Sequence, residues 1–100
     1  MDGRLMGLKN TSACLGYQQI TALNTAKSLT LPSIAGIQAV YVIIQPESQA
    51  VRWRDDGTAP TAAIGMTIPA GGELRYDGDL TKIQFIETAA SAKLNVSYYA

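Results

Sequence analysis

Apolar residues recur at every second position in short runs along most of the chain, and turn-forming residues separate the runs. The alternation is clearest over Lys93–Tyr99, where Leu94, Val96 and Tyr98 alternate with Asn95, Ser97 and Tyr99. Over Lys82–Glu87 the same period sets Ile83 and Phe85 inward against Lys82, Gln84 and Glu87. Over Gln49–Arg54 it turns Val51 and Trp53 inward, with Trp53 as a core anchor, and Arg52 and Arg54 outward together. A period of two is the signature of a half-buried β-strand, because successive side chains leave a strand on opposite faces. Gln38–Gln45 is apolar on both faces, so it reads as a central strand or one covered by a neighbouring chain, ended by Pro46. Weaker strand signals cover Tyr17–Asn24, Lys27–Leu31, Ile64–Ile68 and Glu73–Tyr76.

The intervening residues have turn chemistry. Asp55-Asp56-Gly57 and Asp77-Gly78-Asp79 place Asp beside Gly, Ser33–Gly36 reads as a turn or loop, and Ala70-Gly71-Gly72 as a tight hairpin turn. Thr58–Ala63 is a polar loop and Thr88–Ala92 a turn. No stretch sustains a helical period between caps. The pattern predicts an all-β fold: a single β-sandwich or jelly-roll-like domain of about eight short antiparallel strands over residues 17–100. Residues 1–16 hold three glycines and no period, and are expected to form an N-terminal arm or an irregular first strand.

One hundred residues make one domain. Charged residues are only 16% of the chain, against a usual quarter, so part of the surface is expected to lie against partners. The two-faced strand Ala39–Ile44 sharpens that expectation, since a small sandwich has one core. The arm, another copy or a larger assembly would cover the second face. Eight basic residues balance eight acidic ones and are scattered, which argues against nucleic acid as a partner. The longest apolar run is too short to cross a bilayer, so no membrane partner is expected. A single cysteine allows no intrachain disulfide, and MDGRLMGLKNTSACLG lacks the apolar core of a signal peptide. Synthesis in a reducing cytoplasm is the expectation.

The chain has no histidine and one cysteine. Ser-His-Asp and Cys-His catalysis and a zinc site are therefore out of reach. The paired carboxylates Asp55/Asp56 and Asp77/Asp79 sit in turns and lack the further groups that a glycosidase pair or calcium loop needs. The sequence reads as a non-enzyme with no cofactor and no metal. What remains is contact chemistry. Arg52 and Arg54, flanking Trp53, are candidates for a partner interface, because Trp and Arg dominate interface hot spots. Tyr41 and Tyr99 join them, since tyrosine combines apolar area with a hydroxyl.

The run VRWRDDGTAPTAAIGM, Val51 to Met66, is similar to a stretch of small bacteriophage virion structural proteins. The resemblance continues through the Pro-Ala-Gly-Gly turn, a segment ending in Gly-Asp-Leu, the strand KIQFIE and the closing LNVSYY, and covers residues 17–100. It implies a virion protein of the capsid decoration (cement) type. Such a protein would bind the major capsid protein or other virion proteins and stabilise the assembled head, as a homo-oligomer with a trimer favoured. A small tail, neck or adsorption-apparatus protein is the alternative.

Overall fold

The computed structural model describes residues 13–100, and the reading of residues 1–16 as an arm or irregular first strand lies outside them except for its last four residues. Ten strands and no helix occur among the described residues. They are β1 (Cys14–Ile20), β2 (Lys27–Ser28), β3 (Ser33–Ile34), β4 (Ile37–Gln38), β5 (Tyr41–Glu47), β6 (Val51–Arg54), β7 (Met66–Ile68), β8 (Leu74–Tyr76), β9 (Gln84–Glu87) and β10 (Lys93–Tyr99). Two four-stranded sheets, β1-β10-β5-β8 and β2-β9-β6-β7, carry the fold, and every pairing is antiparallel. With the β3–β4 hairpin set aside, eight strands remain. The first pairs with the last, the second with the seventh, the third with the sixth and the fourth with the fifth. That nesting is a hairpin rolled across two sheets, the jelly roll. The domain is an all-β sandwich of this topology.

The alternation in the sequence is the alternation of the core. Leu94, Val96 and Tyr98 of β10 and Val42 and Ile44 of β5 face Val51 of β6, Ile68 of β7 and Phe85 of β9 in one buried cluster. Leu23, Leu29 and Leu80 close it from the loops. Ile43 and Tyr41 of the two-faced strand point the other way and are half-buried, so β5 is a central strand with one face outside the core.

Two local expectations are corrected and a third is sharpened. Pro46 does not end β5 but lies inside it, fully buried and opposite Leu94. In an antiparallel strand a residue's N–H and C=O point to the same side. The Pro46 carbonyl accepts the Gly71 N–H at 2.8 Å, so its missing N–H also faces away from β10 and costs no ladder bond. The turn at Ala70–Gly72, closed by Gly72 N–H donating to the Pro69 carbonyl at 2.9 Å, is not a hairpin turn, because it carries the chain from β7 in one sheet to β8 in the other. Ser33–Gly36 contains the expected turn, at Ala35-Gly36, and its first two residues form β3 of the β3–β4 hairpin. Its two turn residues, Ala35 (φ 54°) and Gly36 (φ 80°), are both left-handed, as a two-residue hairpin of matching twist requires.

The first strand begins earlier than the alternation suggests. Cys14–Gly16 already pair with β10, through a register irregularity, and the Ala13 carbonyl accepts from Ala100 N–H at 3.0 Å.

Candidate interaction surface

The four sequence-predicted contact residues fall into two groups on different sheets. Tyr41 and Tyr99 come together. They are register partners on β5 and β10, and their rings pack 5.5 Å apart on the outer face of the first sheet. Tyr17 of β1 joins that face, where it is 66% exposed. The hydroxyls and amides around these rings form three hydrogen-bonded groups, one on each tyrosine. Tyr17 donates to Asn95 Oδ1 at 2.5 Å, and Gln19 donates to the same oxygen at 3.0 Å. Asn95 Nδ2 in turn donates to Glu47 at 3.0 Å, and the Ser97 hydroxyl to the Tyr99 hydroxyl at 3.0 Å. Arg75 of β8 donates to the Tyr41 hydroxyl at 3.0 Å while pairing with Glu73 at 2.7 Å, and both contacts hold its guanidinium protonated beyond its ordinary range.

This face is built from Tyr, Asn, Gln, Ser and Arg, with Glu47 and Glu73 at its margins. Such residues supply large rigid contact area and adaptable hydrogen bonding. These hydrogen bonds fix the tyrosine rotamers before any partner arrives, which lowers the ordering cost of binding. Sequence reasoning found Tyr41 and Tyr99 but missed Tyr17, Asn95 and Arg75. The register that brings β1 and β8 to flank the β10–β5 pair lies in long-range pairing that no local pattern states.

Arg52 and Arg54 lie on the other sheet, and their guanidinium groups are engaged within the chain. Arg52 donates to the Ala62 carbonyl at 3.1 Å and the Gly65 carbonyl at 2.8 Å, pinning the 55–65 loop against β6. Arg54 pairs with Asp56 through two contacts at 3.1 and 2.5 Å. That pairing raises the arginine's pKa and lowers the carboxylate's. Gly65 makes this loop possible. At φ 143° it takes a backbone shape that side chains disfavour, and a Cβ there would sit 3.1 Å from Arg52 Cβ and from the Trp53 carbonyl oxygen.

Trp53 faces inward as its alternation with Val51 predicts, but it sits at the rim of the core and is only partly buried. Its ring meets Tyr76 of the opposite sheet edge-on at 5.8 Å. The Tyr76 hydroxyl donates to Asp55 Oδ2 at 2.6 Å; burial first, and the carboxylate second, push that phenol up to about 12. Beside Trp53 an open cleft of about 500 Å³ is lined by Arg54, Asp55, Asp56, Ile64, Gly65 and Met66. No group of three His, Cys, Asp or Glu side chains placed to hold a metal occurs among the described residues, and no described helix is long and apolar enough to cross a membrane. Compared with protein-family models, characterised proteins and solved structures, the chain matches none.

Proposed function

We propose that this chain is a bacteriophage virion structural protein, a capsid decoration (cement) subunit that binds the assembled head shell and performs no catalysis. The observation that carries the reading is the pre-ordered Tyr17–Tyr41–Tyr99 face, which has interface chemistry and is a poor fit to any reaction. The resemblance of residues 17–100 to small virion proteins supplies the particle. Low charge and jelly-roll architecture are in keeping with a subunit whose work is contact, although a fold alone assigns no function. The partners proposed are the major capsid protein or neighbouring virion proteins, and further copies of this chain, with a trimer favoured.

Cement action is then linkage. A ligand that binds only the assembled shell stabilises it by about 2.7 kcal/mol per site at a hundred times its dissociation constant. The test is co-sedimentation of purified protein with undecorated heads, followed by thermal disruption of the heads. Wild type should pellet with the heads and raise their disruption temperature. Tyr41→Ala and Tyr99→Ala should each weaken attachment about tenfold or more, as loss of a hot-spot aromatic does. Absence of wild-type protein from the head pellet would overturn the reading.

A further inference from the structure

Apart from Tyr17, the large apolar side chains most exposed among the described residues are all aliphatic, and they form two groups. One is a knob. Ile34 and Ile37 face each other across the β3–β4 hairpin, 53% and 54% exposed, and Val40 follows at 60%. From Ser28 to Pro46 no residue is charged. The other is the cleft beside Trp53, whose rim carries Ile64 and Met66 at 58% and 61% exposure. By register Met66 shares the inward face with Trp53 and Phe85, but it lies on an edge strand, where the sandwich gapes. The charged groups of the cleft are already engaged: Arg54 is neutralised by Asp56, and Asp55 holds the Tyr76 hydroxyl. An uncharged knob can therefore enter without stranding an ion.

The topology sets these two features at the same end of the sandwich, the hairpin as a small sheet of its own on the chain that leaves one edge strand and the cleft on the other edge strand. The hairpin follows β2, the first strand in the order β2-β9-β6-β7, and the cleft lies on β7, the last. Ser28 of β2 and Arg54 of β6 both pair with Gln84, which fixes the shared end. A knob on one copy and a socket on the next make a heterologous, head-to-tail contact. Such contacts generate a ring where the rotation between neighbours closes and an open filament where it does not, and a discrete particle subunit calls for the closed form.

We infer that the β3–β4 hairpin of one copy seats Ile34 and Ile37 in the Trp53–Ile64–Met66 cleft of the next, building a cyclic homo-oligomer. The inference deepens the self-association part of the reading above and rests on it, while leaving the tyrosine face free for a shell.

The test pairs two surface variants, Ile37→Asp in the knob and Met66→Asp in the cleft, in sedimentation velocity of the full chain. Wild type should sediment as an oligomer larger than a dimer. Each variant alone should be monomeric, with an unchanged circular dichroism spectrum. An equimolar mixture should give a dimer of one copy of each, because the intact cleft of one accepts the intact knob of the other and no further contact is left. Ile37→Ser and Met66→Ser, milder changes, serve if an aspartate variant does not fold. A monomeric or dimeric wild type, variants that still assemble alone, or a mixture that forms anything other than that dimer would each overturn the inference. Wild-type binding to heads, measured separately, would distinguish its failure from failure of the cement reading.

Discussion

Two buried phenols make the sandwich sensitive to alkali in a way that one hydroxyl deletion should expose. Tyr98 is 1% exposed, its hydroxyl donating to Gln18 Oε1 at 2.5 Å at the open edge of the core. Burial raises its pKa from 10.0 to about 12, and Tyr76 is raised to about 12 as well. The unfolded chain loses these protons near pH 10, whereas the folded chain holds them to about pH 12. The stability they confer is therefore complete below pH 10 and drains away between pH 10 and 12. At about 1.4 kcal/mol per unit, each tyrosine should withdraw about 2 kcal/mol by pH 11.5. Tyr98→Phe removes one of the two. At pH 8 the variant should be less stable by about 1 kcal/mol, the net worth of one hydrogen bond. From pH 8 to 11.5 it should then lose about 2 kcal/mol less than wild type, so the order of stabilities reverses. Urea melts followed by tryptophan fluorescence at the two pH values measure this. Parallel losses in wild type and Tyr98→Phe would refute the argument, since they would mean that residue 98 is hydrated in the folded state.

Further expectations follow from the same packing. Phe85→Ala empties the fully buried centre and should cost about 3–5 kcal/mol, while Trp53→Ala at the rim should cost less, about 2 kcal/mol, by denaturant midpoint. Gly65→Ala forces a strained backbone and three close contacts, with Arg52, Trp53 and Pro60, and should cost about 2 kcal/mol in the same melts. Ala35→Asn puts a residue that tolerates the left-handed region at the first turn position, and should slow amide exchange across Ile34 and Ile37 a few-fold. Arg54→Ala removes an exposed ion pair and should leave the denaturant midpoint at neutral pH nearly unchanged. The pair holds Asp56 below its ordinary value, so any difference from wild type should vanish as pH falls through that lowered pKa.

The fold was legible wherever burial acts through neighbouring residues. Lys93–Tyr99 is β10 with both boundaries as the alternation predicts, and Ile83 and Phe85 are in the core. The errors lie where a distant contact overrides a local rule. Pro46 reads as a strand terminator, yet β8 pairs no further than Ile44, and on that side Pro46 meets the turn at Gly71, which needs only its carbonyl. Ala70–Gly72 has hairpin chemistry, but whether a turn returns along its own sheet or crosses to the facing one depends on where Ile44 and Val51 find their partners.

The candidate surface divides along the same line. A tyrosine at an outward strand position already declares exposed aromatic area, and that is why Tyr41 and Tyr99 were found in the sequence. An outward arginine declares only a charge, and its role depends on what the fold brings within reach. Arg52 meets two loop carbonyls and Arg54 meets a carboxylate two residues away, so their direct hydrogen bonds hold the loop beside the cleft. The cleft itself could not be read from spacing, because it exists only where an edge strand leaves Met66 half outside the sandwich. A disagreement between pattern and exposure, an inward residue that remains open to solvent, is what marks this cleft, and it is the place to which the proposed self-association assigns a second chain.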